Sequence, residues 1–197
     1  MKLLRTVGVL AALASAVTAS AQKPEKGVTV ANPTVVMKTS MGSVKIELYP
    51  DKAPETVKNF LQYVDDKFYD GTIFHRVIGN FMIQGGGFDK AMSKKDTRAP
   101  IKNEAKTGVK NATGTISMAR TSDPNSATAQ FFIHVVDNGG LDYRGDSAQE
   151  IGYCAFGKVT EGMDVVNKIK AVPTGVQNGM RDVPTSPVVI ESIRRAQ

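Results

Sequence analysis

The sequence predicts a mainly β protein: a closed barrel whose open ends are covered by two α-helices. Three observations predict it. Brief apolar runs recur along the chain, separated by Gly, Asn, Asp and Ser, the punctuation of short strands. Only two segments carry a helical period, and they lie toward opposite ends of the sequence. No internal repeat or charged low-complexity tract interrupts the pattern. A sheet of many short strands leaves unpaired edges unless it closes on itself, and helices over the open ends complete the enclosure.

Residues 22–32 (QKPEKGVTVAN) are polar and small and predict a flexible arm. Strands follow directly. Val44, Ile46 and Leu48 alternate with Ser43, Lys45 and Glu47, the period of a strand with one buried face, and Thr34–Thr39 pairs with it through Ser40-Met41-Gly42. From Pro54 to Asp65 the period changes: Val57, Phe60, Leu61 and Val64 form one helical stripe, and Pro54 suits the first turn. Phe74–Val77, Phe81–Gln84, Thr115–Met118, Phe131–Val136 and Tyr153–Val159 read as strands, with Gly85-Gly86-Gly87 as a tight bend. A second helix is expected from Glu161 to Val172, with Thr160 as N-cap, a stripe of Met163, Val166 and Ile169, and Pro173 as its stop. Val188–Ile193 supplies the last strand.

Residues 1–21 pair Lys2 and Arg5 with an apolar run, Val7 to Val17, too short to span a bilayer, and end in the small residues Ala19-Ser20-Ala21. This predicts a removable signal peptide, a mature chain starting near Gln22, and a periplasmic location in a Gram-negative cell. Residues 33–197 form the single folded domain. No later apolar stretch is long enough to cross a membrane, and no Cys follows the signal to carry a lipid, so no membrane partner is expected. Cys154 is the one cysteine and has no intramolecular partner, so stability rests on the core. Losing Lys2 and Arg5 lowers the net charge from +6 to +4, with the remaining cations scattered and no Trp in the chain. That distribution argues against nucleic-acid binding.

The chemistry available is narrow. His75 and His134 are the only histidines and fit no zinc spacing, so both read as structural; Cys154 reads as a small core side chain. The glycine run lacks the Lys and helix of a P-loop. What remains is FHRVIGNFMIQGG, residues 74–86, one arginine among aromatic, sulfur and amide side chains, and GTISMARTSDPNSATAQFFI, residues 114–133. In a strand through Ala129 to Ile133, period two puts Gln130 and Phe132 on one face and Phe131 on the other, a wall suited to a peptide.

These two segments, with GYCAFGKVTEGMDVV (152–166), resemble a cyclophilin of the exported bacterial type over nearly the whole chain from Val35 to about Ile193. The resemblance implies an antiparallel eight-stranded barrel closed by two helices, with the active groove on its outside, and peptidyl-prolyl cis/trans isomerase activity on proline-containing polypeptides without a cofactor or metal. It implies Arg76 as the catalytic residue, Phe81, Met82, Phe132 and Leu141 as the proline pocket, and Gln84 and Gln130 as contacts to the substrate backbone. Ala119, Arg120 and Thr121 would border the groove. Three positions depart from the family's common pattern: Gly140 stands where many relatives have Trp or Phe, Tyr153 where His is frequent, and Arg120 where Asn is common. The first implies only weak binding of cyclosporin-type ligands. Nothing in the sequence points beyond a monomer. Two other readings stay open: a chaperone that grips proline segments without turning them over, and a barrel storing an apolar ligand, against which the large strand side chains speak.

Overall fold

The computed structural model describes residues 31–107 and 109–196. The expected signal peptide and residues 22–30 of the expected arm lie outside the described residues. The strands are β1 (Thr34–Thr39), β2 (Gly42–Leu48), β3 (Thr72–Ile78), β4 (Met82–Asp89), β5 (Thr115–Met118), β6 (Phe131–His134), β7 (Ala155–Glu161), β8 (Thr174–Gln177), β9 (Met180–Pro184) and β10 (Val189–Arg195). Eight of them close an antiparallel barrel in the order β1-β10-β3-β4-β6-β5-β7-β2, while β8 and β9 form a separate hairpin.

The alternation read in the sequence becomes the barrel wall. In β2, Val44, Ile46 and Leu48 are buried, and in β6, Phe131 and Ile133 join the central core. The interior is full. Phe131 sits edge-on to Phe60 at 5.8 Å and to Tyr69 at 5.4 Å, and Phe156 lies 5.2 Å from Phe60. Such pairs add to the burial of their area, and they leave no room for the apolar store considered as a third reading.

Helix α1 (Pro54–Asp65) has the bounds that the period and Pro54 predict, and buries Val57, Phe60, Leu61 and Val64. Its cap is remote. The Glu104 carboxylate accepts the backbone N–H of Glu55 at 3.2 Å and of Thr56 at 2.8 Å, and the Thr56 hydroxyl at 2.7 Å. A negative group at this position also complements the helix dipole.

Two expectations are corrected, and one element was not foreseen. Helix α2 spans Met163–Lys170 rather than 161–172, and its N-cap is Gly162 at φ 90 instead of Thr160. β7 keeps the chain extended to Glu161, which pairs with Lys45, and a Cβ at Gly162 would stand 2.4 Å from the Ser43 carbonyl oxygen. The glycines 85–87 are not a bend but the middle of β4. At Gly86 (φ +82) a Cβ would press within 2.9 Å of Phe131 and Tyr69 ring atoms, so the run lets the strand pass over the aromatic core. Finally, the hairpin β8–β9 goes unpredicted, although Asn178-Gly179 has positive φ at both positions, the two-residue turn this dipeptide favours.

Candidate active site

Strand register assembles the site. Arg76 on β3 pairs with Gln84 on β4, Gln84 with Phe132 on β6, and Phe132 with Ser117 on β5. Directly paired residues share a face, so this row crosses four adjacent strands on one side of the sheet. Phe131 and Ile133, which flank Phe132, point into the core; the row therefore lies on the outside of the barrel.

A depression of about 410 Å³, counting its open mouth, lies over this row and is lined by Arg76, Gln84, Phe132 and Met82. Phe81, in the turn before β4, and Leu141, at the end of a short 3-10 turn (Gly139–Leu141), close its sides together with Tyr153. Phe132 and Met82 are almost wholly buried, so they form its floor. Tyr153 meets Phe132 edge-on at 5.7 Å and gives the pocket an aromatic wall. A Cβ at Gly140 would meet nothing within 4 Å, so the wall expected to be missing is open space.

An adjoining depression of about 450 Å³ shares Gln84, Ala119 and Arg120 with the first and adds Thr121 and Gln130. The Gln84 amide donates to the Gln130 side-chain oxygen at 3.0 Å, joining the two amides along the groove. Thr121 is held by the Ser126 hydroxyl, which its backbone N–H and side chain both meet at 2.8 Å. Arg120 is folded back: its Nε donates to the Gly152 carbonyl at 3.1 Å, its Nη1 to the Thr121 carbonyl at 2.9 Å, and its guanidinium lies 4.5 Å over the Tyr153 ring. Arg76 carries no such hydrogen bonds to described residues.

The histidines are core groups. Burial pushes the His134 pKa down to about 4, against weaker opposing effects of Asp142 and Asp137. Asn138 Nδ2 donates to His134 Nδ1 at 2.8 Å, which leaves Nε2 to donate to Asn111 Oδ1 at 3.0 Å. Burial likewise lowers His75 to about 4, only partly offset by the Ile73 carbonyl and the Gln130 side chain. Burial raises the Cys154 thiol to about 12, so it is no nucleophile.

Sequence reasoning missed Asn111. Fully buried, it accepts the Ser117 hydroxyl at 2.8 Å and faces its amide to the carbonyls of Leu141 at 3.0 Å and Tyr153 at 3.2 Å. It thereby fixes both sides of the loop that brings Leu141 and Tyr153 to the pocket. The only signal was an Asn in a polar loop, which does not distinguish a buried brace from a solvated turn. Among the described residues, no group of His, Cys, Asp and Glu could hold a metal ion.

The outer face of this closed antiparallel barrel thus sets an arginine and two paired amides beside a depression floored by Phe132 and Met82. The family model described as cyclophilin type peptidyl-prolyl cis-trans isomerase/CLD matches residues 34–195. Peptidyl-prolyl cis-trans isomerase B of Escherichia coli (strain K12) is 57% identical over 159 residues, covering 81% of this chain and 97% of the relative. Peptidyl-prolyl cis-trans isomerase A of Dickeya dadantii is 47% identical over 186 residues, covering 94% of this chain and 96% of that one. A crystal structure of a Cryptosporidium parvum cyclophilin type isomerase, determined in the presence of the dipeptide Ala-Pro, matches with a TM-score of 0.68 at 26% identity, covering 83% of this chain and 99% of that one. This chain belongs to the cyclophilin-type peptidyl-prolyl cis-trans isomerase family.

Proposed function

We propose that this isomerase turns X-Pro bonds of exported polypeptides, with Arg76 as its catalytic residue. The observation that carries the reading is the row Arg76–Gln84–Phe132, which sets a guanidinium and an amide beside a depression whose floor, Phe132 and Met82, is apolar. Rotation about the bond breaks no covalent bond but must disrupt amide resonance, a barrier of about 18–20 kcal/mol. In the twisted transition state the prolyl nitrogen turns pyramidal and regains a lone pair that the planar amide lacks. A donor aimed there binds the transition state selectively.

An arginine suits this task. It keeps its charge at every working pH, and its fork offers one N–H to the nitrogen and another to a substrate carbonyl. Phe81, Met82, Phe132 and Leu141 would hold the ring while the preceding acyl group swings, and would exclude the water that favours the polar planar amide. Gln84 and Gln130 would hold the peptide backbone, with Ala119, Arg120 and Thr121 along the groove and Tyr153 as its aromatic side.

The exported setting rests on residues 1–21, where two cations precede an apolar run too short to span a bilayer and small residues follow it. The natural partners in this reading are proline-containing proteins refolding in the periplasm, served by a monomer. A refolding assay on a proline-limited protein tests it: wild type accelerates the slow phase and Arg76→Ala does not. Equal suppression of aggregation by both, with no rate enhancement by either, would favour the chaperone reading instead.

A further inference from the structure

The hairpin β8–β9 stands outside the barrel and packs on β3, the strand that carries Arg76. Its anchor is a small apolar cluster in which Val183 joins Ile73 and Met92, with Phe88, Met180 and Val189 beside them. Between anchor and turn the pairing slips. Gly175 pairs with Val183 and Gln177 with Met180, so Arg181 and Asp182 together oppose Val176. That is a β-bulge, a local device that re-aims a side chain. Asp182 sits there at φ 61, the left-handed region, which aspartate tolerates far better than branched or bulky residues do.

The bulge delivers a carboxylate to the site. Oδ2 of Asp182 lies 3.9 Å from Nε of Arg76, and Arg76 is the only ion-pair partner of Asp182 among the described residues. The side chains are 40% and 43% exposed, so the pair is a modest one in energy. Its value is geometric. A long side chain has many rotamers, and a catalytic donor must already occupy the productive one when the substrate arrives. At 3.9 Å the contact is an ion pair rather than a hydrogen bond, and it draws Nε toward the hairpin while Arg76 lines the groove.

We propose that Asp182 is a positioning residue for Arg76, held in place by the bulge of the β8–β9 hairpin. The proposal rests on the reading of Arg76 as the donor to the prolyl nitrogen. Asp182→Asn keeps the size of the side chain and its tolerance of the left-handed backbone while removing the charge. Steady-state kinetics on a chromogenic Ala-Pro tetrapeptide, with Asp182→Asn, Arg76→Ala and the double variant, supply the test. Asp182→Asn should lower kcat about two- to fivefold, the factor expected of a half-exposed ion pair, with KM and thermal midpoint little changed. In the Arg76→Ala background the same substitution should have no effect, since it acts only through the arginine.

Wild-type kcat in Asp182→Asn, or the same fractional loss in the Arg76→Ala background, would overturn the proposal. The two ideas separate cleanly: a crippled Arg76→Ala beside a normal Asp182→Asn removes only the role of Asp182, whereas a normal Arg76→Ala removes the reading of Arg76 and this proposal with it.

Discussion

Arg76 taken by itself is a half-exposed cation in a strand, and Phe132 taken by itself is one more buried aromatic. Their meaning comes from register, which sets them in one row with Gln84 on the outside of a filled barrel. Phe131 and Phe132 differ by one position and serve opposite faces, the first in the core and the second under the pocket. That split was legible as period two. The placing of Phe81, Met82 and Phe132 at the pocket was not, because composition alone assigns such residues to a core and only the family motifs lift them out; Leu141, in a Gly-rich loop, had the least independent signal. Gly140 carries a prediction of its own. The space around it is open, so Gly140→Trp can extend the apolar wall without displacing a neighbour. Burying part of an indole against a bound ligand is worth about 1.5 kcal/mol or more, so affinity for a cyclosporin-type ligand should rise about tenfold by titration. An unchanged Kd would mean that this wall does not meet the ligand.

Most elements written in local signals were read correctly, the Asn178-Gly179 hairpin excepted, and those set by distant partners were not. Helix α1 and strands β1 and β5 have the bounds that period, Pro54 and flanking turns predict. Helix α2 lost its first residues to the pairing of β7 with β2, and β4 ran on through three glycines because the barrel must clear Phe131 and Tyr69. The cap of α1 was equally invisible, since Glu104 lies far along the chain from Thr56. Glu104→Ala leaves two backbone N–H groups and a hydroxyl without their carboxylate. Loss of a cap costs about 1 kcal/mol, so the melting midpoint should fall by about 2–4 °C while turnover of a short peptide is retained. An unaltered midpoint would show that water replaces the carboxylate at no cost.

At the scale of the whole molecule, the charged and titratable groups define how the fold answers pH. His75 and His134 are held at about 4 by burial, against an ordinary value near 6.5. The unfolded chain therefore takes up protons first: stability is flat above about pH 6.5 and falls as pH drops toward about 4. Two bidentate pairs tie the last strand to the end of helix α1 and the turn after it, Arg194 with Asp70 at 2.8 and 2.6 Å and Arg195 with Asp65 at 2.8 and 2.7 Å. Hydrogen bonds from these arginines hold both carboxylates below the ordinary range. Their contribution is present above the unfolded carboxylate value and is lost as pH falls through the lowered one, which extends the loss to still lower pH. Scanning calorimetry from pH 8 to 3 should show this two-stage decline, with isomerase activity nearly constant around neutrality. A midpoint that rises between pH 6.5 and 4 would contradict the placement of both imidazoles.

One guanidinium carries the proposed chemistry, and the rate constant for a proline-containing tetrapeptide measures its contribution directly. Removing a preorganised donor of this kind costs about 2.7–4 kcal/mol, so kcat/KM for Arg76→Ala should fall about a hundred- to a thousandfold in a protein that melts as the wild type does. Near-normal turnover in that variant would contradict the mechanism.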